Sequence, residues 1–221
     1  MSYKLVFDTE TTGLPKKDKG RPYNYKNLEH FGSSRIVSIS WILLDETNTI
    51  IEKKTYYIKP DNFVVSEGSI KIHGLTTEFL NKNGVSIHEM LLHLNSIFLQ
   101  KNITDIIAHN INFDINILKS ELYRYKYSLT LEEIRDISLY CTMFKAQKAM
   151  KVSKWPKLAE AYRFFYNEDI TNAHDAEFDT LYCYKVYYKL QQRRILKQQE
   201  LDNISGKNFE KINKLMISYK N

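Results

Sequence analysis

A chain of 221 residues, 43% hydrophobic and 26% charged, is long enough to bury its own core and too evenly mixed to be a disordered or fibrous polymer. The formal net charge of +6 favours a polyanionic partner without establishing one, and no apolar run reaches the length of a membrane span. The two cysteines, Cys141 and Cys183, form no CxxC spacing, which argues against a disulfide framework or a zinc site and for two reduced core residues. No charged-then-apolar segment opens the chain, so the expectation is a soluble intracellular protein of cytoplasm or nucleus. Its bias toward Lys, Asn, Ile and Tyr is that of an AT-rich genome, as in some large DNA viruses.

The first predicted element is a buried strand that ends in Asp8-Thr9-Glu10 and runs into a Thr11-Thr12-Gly13-Leu14 turn. Residues i and i+2 of a strand share a face, so Asp8 and Glu10 project side by side. Two adjacent acids repel and are costly to bury unless a cation lies between them. Hard divalent cations, Mg²⁺ or Mn²⁺, take oxygen ligands and fit that role. The plain alternative is a strand end with two solvated acids.

Residues 15–34 have no apolar period and carry Lys16, Lys17, Lys19 and Arg21; they read as a long solvated loop, with a substrate-contacting flap as the alternative. Ile36 to Leu44 and Ile50 to Ile58 read as two strands joined by the turn Asp45-Glu46-Thr47-Asn48, completing an antiparallel meander with the first. A short helix starts near Thr76. A longer one follows Ser86, with Glu89 completing a capping box and Ile87, Met90, Leu91, Leu94, Ile97 and Phe98 on one face. A short strand over 105–108 precedes a helix from Phe113 to about Tyr125. A strand at 136–138 then leads to helices over 142–150, from about Lys157, and from about Asp175 to Leu196. Strands alternating with helices in the second half indicate parallel pairing, hence an α/β domain with a mixed sheet.

From Lys197 the composition turns polar, and Gly206 divides this tail. Its last piece spaces Phe209, Ile212, Leu215 and Met216 as a docked or partner-binding helix would. Lys145, Lys148, Lys151, Lys154 and Lys157 form a basic row beside Trp155. The row is either a solvated face or a track for a phosphate backbone.

Two more acid sites follow the first. Ala108-His109-Asn110-Ile111-Asn112-Phe113-Asp114 lies at the carboxyl end of a sheet strand, where open α/β sheets bind ligands. Asp114 falls in the first turn of a helix, which alone would explain an acid there. In Ala173-His174-Asp175-Ala176-Glu177-Phe178-Asp179, His174 and Asp179 lie about 140° apart on one ideal helix. For them to act together, His174 must precede the helix and Asp179 sit one turn inside it. Histidine titrates near neutrality and suits a general base.

These three segments, in this order, strongly resemble the DEDDh branch of the DnaQ-like exonucleases, whose members trim DNA or RNA. The resemblance covers residues 3–190, and His73-Gly74-Leu75-Thr76 adds a fourth match. It implies an RNase H-like α/β fold, a mixed five-stranded sheet flanked by helices, in a domain of residues 1–196 followed by the tail 197–221. It further implies that Asp8, Glu10, Asp114 and Asp179 hold two divalent cations, Mg²⁺ with Mn²⁺ able to substitute, and that His174 is the general base. Backbone over Thr9, Thr11, Thr12 and Gly13 would hold the terminal 3′-OH, with Leu14, His73 and Phe113 lining the terminal nucleoside. The implied partner is a single-stranded or frayed 3′ end of nucleic acid, with no membrane, and many members form homodimers.

The chain departs from the proofreading members in the longer loop after Leu14. Its tail also shows no obvious clamp- or polymerase-binding peptide, although a polymerase or other protein partner remains an expectation for it. All five site residues are present, which favours a 3′→5′ exonuclease over a non-catalytic nucleic-acid scaffold. The matches around His73 and Asp114 favour DNA, in proofreading, trimming or repair, with trimming of short RNA as the alternative.

Overall fold

A computed structural model describes residues 1–16 and 22–218, with side chains described as far as Gln199. Five strands form one mixed sheet in the order β3-β2-β1-β4-β5. In chain order the elements are β1 (Tyr3–Thr11), β2 (Ile36–Leu44), β3 (Ile50–Tyr57), α1 (Glu67–His73), α2 (Thr77–Asn83), α3 (Ile87–Gln100), β4 (Ile103–Ala108), α4 (Ile111–Arg124), α5 (Ser128–Arg135), β5 (Ser138–Cys141), α6 (Thr142–Met150), α7 (Leu158–Tyr166) and α8 (Ala176–Ser218). The antiparallel meander of β1, β2 and β3 forms as expected, with Phe7 opposite Trp41 and Trp41 opposite Lys54. β4 and β5 then add in parallel beside β1.

The sheet is covered on both faces, which explains why Leu5 to Phe7 of β1 and Trp41 to Leu44 of β2 are apolar without alternation. Leu5 and Phe7 of β1, with Ile39, Trp41 and Leu43 of β2, pack with residues of α3 and α4. Val6, Ile42, Leu44 and Ile107 face the other way, onto Cys183 and Tyr187 of α8. By the period of two, Asp8 and Glu10 continue the Val6 row and belong to the α8 face. β1 outlasts its parallel neighbour: their pairing stops at Val6 opposite Ile107, and β4 ends at Ala108. The last residues of β1 are therefore open on one side.

Several expectations are corrected. α1 and α5 are absent from the sequence reading because each spans only two turns, too few for an apolar period to register. The last strand lies at Ser138–Cys141, beyond the expected 136–138. α8 does not end at Leu196 but continues to Ser218, through Gly206. Whether Phe209, Ile212, Leu215 and Met216 dock lies outside the described residues. The loop before β2 is not wholly solvated, since Phe31 is fully buried and Tyr23 meets its ring edge-on at 6.1 Å. Lys17, Lys19 and Arg21 fall outside the described residues. Both cysteines are free, and Cys183 is buried. Among the described residues no helix is long and apolar enough to cross a membrane.

Candidate active site

The site forms where β1 overhangs β4, and three separate segments deliver its acids. Asn110 adopts a left-handed conformation, φ +73°, which asparagine tolerates better than most residues. That turn swings the chain from β4 into α4 and brings Asp114, in the helix's first turn, back over β1. Asp114 Oδ1 accepts the Thr9 hydroxyl at 2.8 Å and the Thr9 N–H at 3.2 Å, and the residue is 3% exposed. The clamp fixes the acid from the α4 side.

The third segment arrives from the opposite face. His174, also left-handed at φ +67°, closes the turn before α8, and its N–H donates to Asp179 Oδ2 at 3.1 Å. Asp175 Oδ1 caps the helix by accepting the Glu177 N–H at 2.9 Å. Thr180, fully buried, donates its hydroxyl to the Ser40 carbonyl and pins this first turn to β2, beside Asp8 in the ladder. His174 thus precedes the helix with Asp179 one turn inside, as joint action requires. Ligand atoms of Glu10, His174 and Asp179 all lie within 4.8 Å of one another.

Electrostatically the site is strained by like charge. Burial raises the Asp8 carboxyl well above its usual range, and Asp114, Asp179, Glu10 and Asp175 all push the same way. Burial, then Asp179, Asp114 and Asp175, push Glu10 up to about 8. Asp114 is pushed up to about 7 by burial, against the opposing hydrogen bonds from Thr9. Burial also raises Asp179, partly offset by His174. Among the described residues, Asp179 Oδ1 is buried with no hydrogen-bond partner. A set of hard oxygen donors, mutually repelling and including an orphaned buried oxygen, fits divalent cations.

Beside the acids lies a cleft of about 210 Å³ lined by Thr9, Glu10, Thr11, Gly13, Leu14, His73 and Phe113, with Ser69 and Ile72 of α1. Six of the seven residues expected to meet the terminal nucleotide therefore gather here. Thr12 does not. Its N–H donates to the Arg35 carbonyl, its hydroxyl oxygen accepts the Arg35 N–H, and its carbonyl accepts the Ser66 and Ser69 hydroxyls. Thr12 is an anchor that sets the cleft floor. A side chain at Gly13 would place its Cβ 2.9 Å from the Ser33 carbonyl, so the turn needs glycine for close approach. Leu14 is 76% exposed and Phe113 half-buried.

His73 takes its tautomer from its neighbours. The Leu75 N–H donates to Nδ1 at 3.1 Å, which leaves the proton on Nε2, 3.3 Å from the Thr11 carbonyl. Burial lowers its pKa, the hydrogen bond to the Thr11 carbonyl opposes this, and the nearby His174 adds to the lowering.

Ser69 and Ile72 are missing from the sequence reading. The only signal for them is Ser66, whose hydroxyl caps α1. Also missing is a buried network in which Arg35 Nε donates to Glu121 Oε1 at 2.7 Å and Arg35 Nη2 to the Tyr125 hydroxyl at 2.6 Å.

A mixed sheet in this order, with carboxylates gathered at the free end of its central strand, defines an RNase H-like α/β domain. Residues 5–187 match the family model of RNase T-type exonucleases, and the chain belongs to that exonuclease family. It is 33% identical over 144 residues to DNA polymerase III subunit epsilon of Buchnera aphidicola from Schizaphis graminum, covering 65% of this chain and 53% of that one. It is 27% identical over 213 residues to exodeoxyribonuclease I of the same organism, covering 89% of this chain and 39% of that one. The chain thus spans about half or less of these relatives' lengths. The zinc-bound complex of Escherichia coli exonuclease I with single-stranded DNA shares the fold, with a TM-score of 0.64 at 19% identity, over 91% of this chain and 43% of that one.

Proposed function

We propose that this chain is a divalent-metal-dependent 3′→5′ exonuclease that releases nucleoside 5′-monophosphates from the 3′ end of DNA, with residues 1–196 as its catalytic domain. The observation that carries the reading is the clustering of Glu10, His174 and Asp179 within 4.8 Å of one another, with Asp8 and Asp114 close enough to repel the same acids. Family membership and the likeness to two DNA-directed enzymes support it.

In this reading the four carboxylates hold two cations, Mg²⁺ or Mn²⁺. Bound there, such ions supply charge stabilisation to the attacking and leaving oxygens of an in-line phosphoryl displacement. The chain's own contribution is positional. The cleft from Thr9 to Leu14 seats the terminal nucleoside, with the exposed Leu14 and half-buried Phe113 against its base. His73 fixes the Thr11 carbonyl and keeps the cleft wall in place. His174, exposed to solvent and within reach of Glu10 and Asp179, accepts a proton from the attacking water. Water oxygen bonds to phosphorus, the bond to the penultimate nucleotide's 3′ oxygen breaks, and that oxygen is protonated.

The test is one gel. Single-stranded DNA and RNA labelled at the 5′ end are incubated with the protein and Mg²⁺, Mn²⁺ or EDTA, alongside Asp8→Ala. The expected result is a metal-dependent ladder that shortens from the 3′ end, faster on DNA and absent in the variant. Faster shortening of RNA would reassign the substrate. Shortening that persists in EDTA or in Asp8→Ala would overturn the site.

A further inference from the structure

The basic row of the sequence does not survive folding as a row. Lys154 is paired with Glu160 at 2.6 Å, and Lys151 occupies the left-handed cap of α6. Lys145 and Lys148 instead face α8, where Arg193, Arg194 and Lys197 line the opposite wall of a groove of about 550 Å³. Ala149 and Leu190 also line it, and no carboxylate does among the described residues. Like charges at i,i+3 and i,i+4 on one helix disfavour it slightly, and facing cations on two helices add to that. No carboxylate offsets these charges among the described lining residues, and the arrangement suits a polyanion.

The groove is continuous with an aromatic pair. Lys148 Nζ lies 4.3 Å over the Phe144 ring, and that ring packs 5.9 Å from Trp155 at 33°. Trp155 is 54% exposed. The neighbouring Pro156 carbonyl accepts His109 Nε2 at 3.0 Å, which ties this aromatic edge to the turn that positions Asp114. Arg193 and Lys197 follow Asp179 along one helix by about 21 and 27 Å at 1.5 Å per residue. Acids, exposed aromatics and cations thus succeed one another outward from the site.

We infer that Trp155, Phe144 and the α6–α8 groove form a track for the single strand upstream of its 3′ end. Bases stack on Trp155 and phosphates lie along Lys145, Lys148, Arg193, Arg194 and Lys197. Stacking platforms beside a cationic groove are how sequence-independent single-strand binders work. The inference rests on the exonuclease reading for the direction of the strand.

The test measures binding without cleavage. A fluorescein-labelled 20-nucleotide oligothymidine is titrated in EDTA by anisotropy across salt concentrations, while tryptophan emission is followed. Trp41 is fully buried, so a quench reports Trp155, and Trp155→Phe removes it. Arg193→Ala with Arg194→Ala weakens binding at least tenfold and reduces the slope of log K against log salt by about 1.4, at about 0.7 per phosphate contact on single strands. Because Arg193 also lies over Phe164 and Phe165, the exposed pair Arg194→Ala with Lys197→Ala serves as the second arm, with the same slope change expected. Affinity within twofold of wild type in both arms, or no quench at Trp155, overturns the track. Equal competition by polyglutamate also overturns it, by assigning the groove to an acidic protein. Such a failure with metal-dependent shortening intact removes only the track, whereas groove-dependent binding without any shortening removes the exonuclease reading.

Discussion

Two clusters of buried and half-buried charge flank the same turn, and they are built on opposite principles. Behind the cleft, Arg35 and Glu121 are 7% and 0% exposed, and their charges cancel. Glu121 Oε1 accepts Arg35 Nε and the Ile36 N–H, Arg124 Nε stands 3.4 Å from Oε2, and the Arg35 guanidinium lies 4.8 Å over the Phe63 ring. Tyr125 bridges Arg35 to Asp61. In front of the cleft, Asp8, Glu10, Asp114 and Asp179 are all of one sign, and Asp179 keeps an unpartnered oxygen. Glu121 Oε2 and Arg124 Nε make no hydrogen bond among the described residues, but they face each other as opposite charges, so the first cluster is balanced in charge within the protein, and it holds the Thr12 turn through the Arg35 backbone. The second is completed only by something brought from outside. Buried charge that is balanced marks architecture; buried charge that is unbalanced marks a binding site.

The contrast can be broken most severely at Asp8. Asp8→Asn removes a repelling charge, so turnover falls to background while the metal-free protein melts at a higher temperature than wild type. Activity assays paired with thermal melts in EDTA check both signs, and a lowered melting temperature would show that the front cluster is structural after all.

Glu121→Ala does the reverse. It strands Arg35 in the interior and costs about 3–5 kcal/mol, a fall in Tm of roughly 10 °C, whether or not metal is present. Denaturant unfolding of the variant measures it, and a loss confined to activity would refute the architectural role. His174→Ala sits on the exposed rim, so it lowers kcat by roughly 10²-fold or more with little change in stability. If its pH–rate profile overlays that of wild type, another base serves.

The smallest effect is a slope. Carboxyls raised in the folded state stabilise it fully below their unfolded pKa values and progressively less as pH rises through the folded ones. With Glu10 near 8 and Asp114 near 7, the EDTA-treated protein therefore loses stability between about pH 5 and pH 8. Divalent cation should raise Tm by roughly 5 °C or more at pH 8 and by much less at pH 5. A melting curve in EDTA that is flat across this window would mean the acids do not repel as their burial implies.

Much of this was written locally. Asp8 and Glu10 share a face because a strand alternates, β2 spans Ile36–Leu44 as its apolar run reads, and Ser86 caps α3 where the serine and Glu89 announce it. The relation of His174 to Asp179 follows from helix geometry, since only a break at the helix start lets residues five apart meet. The convergence of three acid segments was legible through family likeness; spacing alone left each acid a harmless explanation.

What the sequence determined by itself is what adjacent residues decide among themselves: most of the strands, the Ser86 cap of α3 and the shared face of Asp8 and Glu10. Tertiary structure decided whatever needs partners far apart in the chain. Thr12 became an anchor because Arg35 and Ser69 happened to reach it, and the basic row was split because α6 is capped at Lys151 and Lys154 pairs with Glu160, leaving Lys145 and Lys148 opposite Arg193 and Arg194 of α8. Periodicity is a property of neighbours, whereas burial, hydrogen-bond completion and the balance of charge are properties of the packed whole.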